Sequence, residues 1–172
     1  MKALALKVEE YHSYYQTYIG KLNQEETLLE LLIRQSNDFP TFIANIPDNK
    51  LHYAYAEGKW SMAEVLQHII DAERVFQYRA LRFARKDTTP LPGFDQDVFA
   101  NGVAMKNSTK SSILEEYNTV RASSIVLFRS FDATVLKQVG TASDAIMSVA
   151  AAGFLIGAHQ QHHHNILIER YL

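Results

Sequence analysis

Apolar residues in this chain recur in four long stretches at the three-to-four-residue spacing of a helix face. From Gln24 to about Phe42 the repeat is carried by Leu28, Leu31, Leu32 and Phe39, with the polar Gln35 in the same series, and Pro40 predicts the end of this first helix. Pro47, Asp48, Asn49 and Gly58 make residues 45–59 a loop. The second helix has a sharp start. Ser61 and Glu64 form a Ser-x-x-Glu capping box, in which each side chain takes a backbone N–H near the other, and the pattern then runs to about Arg85. The third helix spans about Thr109 to Phe131, capped by Ser108 or Thr109, with Ile113, Leu114, Tyr117, Val120, Ser124, Phe128 and Phe131 on its inner side. The fourth begins near Ser143 and runs to the last residue, with Ala152, Ile156, His159, His163, Ile166 and Arg170 along one face.

Between the second and third helices, Thr88 to Asp97 carries Pro90, Pro92 and Gly93 and opens a crossover of roughly twenty residues, longer than an ordinary connection and of the kind that walls sites. Ahead of the first helix, Tyr11, Tyr14, Tyr15 and Tyr18 stand in a polar background and predict an arm packed across one end of a bundle. No segment alternates as a strand would. The fold class expected is therefore all-α, a four-helix bundle with a long crossover between its second and third helices, forming a single domain over residues 1–172.

Composition narrows what such a bundle does. A formal net charge of -2 gives no basic footprint for phosphates, so nucleic acid is not an expected partner. Cysteine is absent, which excludes disulfides, thiolate-held zinc and a cysteine nucleophile; any thiol in the chemistry comes from outside. The first ten residues lack a signal-peptide core, and no apolar run approaches the ~18 residues of a membrane span, so a cytoplasmic protein without a membrane partner is expected.

Candidate chemistry lies in the histidines. His159 and His163 are one helical turn apart and present two imidazoles to one point, and His68 on the second helix offers a third. Neutral imidazole is a common ligand for zinc, nickel and related cations, and three protein ligands with open positions mark catalytic rather than structural sites. Their place on an apolar stripe favours a ligand role, because a buried imidazole needs a partner. The blander alternative is a polar patch near a helix C-terminus. His162 and His164 diverge from His159 by about 60° and 140° on the helical wheel, which predicts a flanking role for His162 and a solvent-facing one for His164. Arg79, Tyr117, Arg121 and Arg170 also map to inner faces. They suit a pocket for an anionic substrate group, with salt bridges to Glu64 or Glu73 as the alternative for the arginines. Ferritin-like di-iron chemistry is poorly supported, since Glu9 to His12 is the sole Glu-x-x-His element.

The segments Tyr55–Ser61, His68–Phe76, Tyr78–Arg85, Pro92–Asp97 and Gly157–Leu172 together resemble the DinB-like superfamily, and more narrowly its branch of YfiT-type metal-dependent hydrolases and bacillithiol transferases. Glu57 departs from the proline often found there, which touches only the loop before the second helix. The resemblance implies a DinB/YfiT-type four-helix bundle in which His68, His159 and His163 hold a divalent metal, zinc or nickel. It further implies metal-dependent activation of a bacillithiol-type small-molecule thiol cosubstrate for attack on an electrophile, with Arg79, Tyr117 or Arg121 orienting the substrates. The alternatives are a metal-dependent hydrolase, or a non-catalytic metal-containing stress or binding module, in that case a homodimer burying one bundle face.

Overall fold

The structure is a computed structural model that describes residues 1–103 and 105–172. In chain order its helices are α1 (Gln16–Ile19), α2 (Leu28–Asn45), α3 (Met62–Ala84), α4 (Gln96–Gly102), α5 (Lys110–Arg129), α6 (Ala133–Leu136) and α7 (Val149–Tyr171), with the strands β1 (Val139–Ala142) and β2 (Ala145–Ser148) ahead of α7. The four long helices α2, α3, α5 and α7 make the bundle. Three begin on capping boxes: Thr27 with Glu30, Ser61 with Glu64, and Thr109 with Ser112. The fourth begins on Ser148, whose Oγ accepts from the Ala151 N–H at 2.9 Å. Each cap satisfies a backbone donor that the first turn leaves without a partner.

Two boundaries differ from the sequence expectation. Helix α2 does not stop near Pro40 but carries it inside and ends at Asn45, just before Pro47. Burial of Phe39 and Ile43 on either side of the proline offsets the lost backbone hydrogen bond. The last helix begins at Val149, and the preceding residues form an antiparallel hairpin that the sequence reading does not contain. Ser143 and Asp144 both adopt left-handed backbone (φ 53° and 59°), as a tight two-residue hairpin turn requires. Four-residue strands carry too little alternation to be read from sequence. At Gly140 the hairpin lies against α3 so closely that a Cβ would stand 2.0 Å from the Phe83 ring. The crossover is tied to the same hairpin, since the Leu91 N–H donates to the Thr141 carbonyl and the Ser143 N–H to the Leu91 carbonyl.

The arm is more extensively packed than the tyrosine pattern predicts, with Ala3, Leu6, Tyr11, Ile19 and Leu22 all buried. The bundle interior holds two apolar clusters, one around Leu31, Leu32, Phe128, Phe154 and Leu155, the other around Phe39, Ile43, Leu66, Ile69 and Ile113. Each long helix also places a buried polar side chain among them. Gln35, Glu73, Arg121 and Gln160 form a layer in which Arg121 grips Glu73 through two 2.9 Å bonds, Nε to Oε1 and Nη2 to Oε2. Among the described residues, no helix is long and apolar enough to cross a membrane.

Candidate metal centre

His68 enters the site from α3, two turns after the Ser61 cap, and His159 and His163 enter from α7, one turn apart. Their Nε2 atoms converge, with His159 Nε2 3.0 Å from His68 Nε2 and 3.1 Å from His163 Nε2. Among the described residues, these three form the one cluster of His, Asp or Glu groups close enough together to hold a metal ion. His68 is buried and the other two are half-buried. Burial lowers the pKa of His68 to about 4, opposed by the carboxylate of Asp97. Burial, followed by repulsion from the neighbouring imidazoles, lowers His163 to about 3 and takes His159 well below its ordinary value. All three rings are therefore neutral at pH 7, with lone pairs available to a cation.

The donor set fits a divalent ion. Nitrogens about 3 Å apart can share one centre at the ~2.0–2.1 Å typical of zinc–imidazole bonds, and with the ring protons on Nδ1 three Nε2 lone pairs face one another with no donor among them, an arrangement that a cation completes. Aromatic rings surround the site: Trp60 lies 5.0 Å from His68 between ring centroids, and Tyr18 and Phe76 lie 6.3 and 6.4 Å from His159. Two sizeable cavities reach the histidines from different sides. One of about 190 Å³ touches His68 and His159 and is walled by Tyr15, Tyr18, Phe76 and Arg79. The other, about 260 Å³, touches His163 and is walled by Tyr55, Trp60, Asp97 and Tyr171; Gln96 borders both. A third cavity of about 360 Å³, between Leu28, Phe128 and Lys137, touches none of the three.

A family model of the DinB superfamily matches residues 31–167, which include all three histidines. The chain belongs to the DinB superfamily. A protein of Oceanobacillus iheyensis named "Putative metal-dependent hydrolase" is 29% identical over 91 residues, 48% of this chain and 52% of that relative, so the match spans about half the relative's length. YfiT from Bacillus subtilis, described as "a probable metal-dependent hydrolase with an unusual four-helix bundle topology", superposes with a TM-score of 0.69 at 18% identity, covering 81% of each chain. That likeness establishes the DinB-type bundle fold.

The remaining candidates separate within this fold. Arg79 stands on the wall of the 190 Å³ cavity beside His68 and His159. Arg121 and Tyr117 lie in the buried polar layer, where Tyr117 Oη sits 2.9 Å from Gln160 Oε1 and Arg121 donates to Glu73, Gln160, Gln35 and the Leu32 carbonyl. Neither borders a cavity that reaches the histidines. Arg170 is exposed and donates to Tyr55 Oη at 3.2 Å, and Glu64 caps its own helix. His162 flanks the site, packed on Tyr18 at 4.6 Å. His164, expected to face solvent, is half-buried against Phe42 at 4.4 Å because α2 closes over that side of α7. Sequence reasoning passed over Trp60, Gln96, Asp97 and Ser143 as site residues. Gln96 and Asp97 belong to the same proline- and glycine-rich stretch that marks the crossover, which was the available signal.

Proposed function

We propose that this DinB protein is a metal-dependent enzyme that activates a low-molecular-weight thiol of the bacillithiol type for attack on an electrophilic carbon. The observation that carries the reading is the placement of His68, His159 and His163 between two cavities, which leaves separate approaches for two reactants. A divalent ion, zinc or nickel, held by the three Nε2 atoms supplies Lewis acidity that makes a sulfhydryl more acidic and so raises its thiolate fraction near neutral pH. The chain's own residues do the rest. Trp60, Tyr18 and Phe76 pack on the histidines and shape the approaches to them, Gln96 borders both cavities, and Asp97 stands where it can accept the sulfhydryl proton. The sulfur forms its bond to carbon as the leaving group departs with its electron pair. With no cysteine in the chain, that sulfur comes from the cosubstrate.

Hydrolysis is the second reading, favoured by the same Asp97, a carboxylate on the wall of the His163 cavity able to take a proton from water. The names of the two relatives agree with it. Elemental analysis of tag-free protein is the first test. Close to one zinc or nickel per chain is expected for wild type and almost none for His159→Ala, and metal retained by the variant would refute the triad. With the metallated protein, thiol-dependent conversion of 1-chloro-2,4-dinitrobenzene supports transfer. Turnover of 4-nitrophenyl acetate that ignores added thiol would move the assignment to hydrolysis.

A further inference from the structure

Arg79 is 2% exposed yet has no carboxylate within ion-pair reach among the described residues. All three acids that its helix offers are committed elsewhere, Glu73 to Arg121, Asp71 to Arg74 and Glu64 to the Ser61 cap. Its protein partners are neutral. Nη2 donates to the Pro92 carbonyl at 3.2 Å and to Ser143 Oγ at 2.9 Å, and the remaining polar neighbour is the Tyr15 phenol. A buried cation without a counter-charge is a net cost to the fold, and burial depresses its pKa accordingly. Arg121 on α5 shows the contrast, fully buried but matched to Glu73 by a two-point grip.

The uncompensated charge is on the wall of the cavity that also contains His68 and His159. Phe76 bridges the two ends, with the Arg79 guanidinium carbon 5.8 Å from its ring and His159 6.4 Å from the same ring, so at most two such steps separate the cation from the triad. Between them the walls are the rings of Tyr15, Tyr18 and Phe76, which suit an apolar linker. Accepting the proposed role of the triad as the reaction centre, we propose that Arg79, steadied by Ser143 and the Pro92 carbonyl, is the subsite for the carboxylate of a small molecule whose other end reaches the histidines. The planar guanidinium matches a carboxylate, and the hairpin turn at Ser143 and the crossover at Pro92 set its angle. Substrates are then small carboxylic acids a few bonds long rather than neutral molecules.

The test uses the protein's single tryptophan, Trp60, whose ring lies 5.0 Å from His68 and reports occupancy there. Metal-loaded protein is titrated with ω-mercaptocarboxylates of increasing length and with mercaptoalcohols of the same lengths. At the best length the acid is expected to bind about tenfold or more tighter than the alcohol, the value of one charge-assisted hydrogen-bond pair. In Arg79→Met that preference falls to about unity while the alcohol binds as before, and Arg79→Lys, which keeps the charge and loses the fork, retains part of it. Equal binding of acid and alcohol by wild type, or a preference that survives in Arg79→Met, overturns the proposal. If Arg79→Met does not fold by circular dichroism, Arg79→Lys carries the decision: an undiminished preference overturns it. Calorimetry with hexanoate against hexanol, which carry no sulfur, separates the two readings. Hexanoate binding that depends on Arg79 upholds the subsite even where thiols fail to bind at the triad, and its absence in wild type sinks the subsite whatever the metal does.

Discussion

A guanidinium as enclosed as Arg121 survives in a protein interior only when every side of it is answered. Glu73 takes Nε and Nη2 at 2.9 Å each, Gln160 Oε1 takes Nη2 at 2.6 Å, and Gln35 Oε1 takes Nη1 at 3.2 Å. Removing one partner strands the other. Arg121→Met is expected to cost about 3–5 kcal/mol in urea denaturation by leaving Glu73 buried and unpaired, and Glu73→Met/Arg121→Met together are expected to cost less than that single change. Metal content should be unaffected in any folded fraction, because the network does not touch the histidine nitrogens; a folded Arg121→Met that loses its metal would give Arg121 a part in the site. Helical periodicity puts Arg79, Tyr117 and Arg121 alike on inner faces and cannot go further. Which of them meets a cavity and which meets a carboxylate depends on where Glu73 and Gln160 point from two other helices.

At the scale of elements, α7 explains why the candidate metal ligands His159 and His163 sit where they do. Every residue from Val149 to Ala158 is buried, so this half of the helix has neighbours on all sides and no polar face to orient it. Small residues let the neighbours approach. A Cβ on Gly157 would stand 2.5 Å from Leu31 Cδ2, and one on Gly153 would stand 2.6 Å from Leu28 Cδ2. Gly157 also receives the Gln35 amide on its carbonyl at 2.9 Å, which fixes α2 against α7 two residues before His159. Gly157→Ala is therefore expected to destabilise the fold by about 1–3 kcal/mol through overpacking, seen as a lower thermal midpoint with metal bound. An unchanged or raised midpoint would mean that α2 moves away freely, contrary to the packing described. The hairpin at 139–148 is an element of the opposite kind, too short to show in the sequence, yet it supplies the partner that holds Arg79 in place.

For the whole molecule, holding three neutral histidines together links stability to both metal and pH. Unfolded histidines titrate near 6.5, whereas His68 and His163 in the folded chain do so at about 4 and about 3. As pH falls below about 6.5 the unfolded chain takes up protons that the folded metal-free chain does not, so metal-free stability drops by up to ~1.4 kcal/mol per pH unit per histidine. Urea midpoints of metal-free protein should fall from pH 7 to pH 5, and fall less in a His68→Gln/His163→Gln variant; a flat or rising midpoint would contradict the buried neutral triad. The sequence by itself determined the four long helices, the capping box at Ser61, a cap at Ser108 or Thr109, the crossover, and His159 and His163 as a pair, because each is written in spacings of a few residues along one chain segment. Only the tertiary structure decided that α2 continues through Pro40, that a hairpin precedes α7, and that Arg79 faces a cavity while Arg121 is clasped by Glu73. These are set by contacts between segments tens of residues apart, whose burial and charge pairing outweigh the local preferences that a linear pattern records.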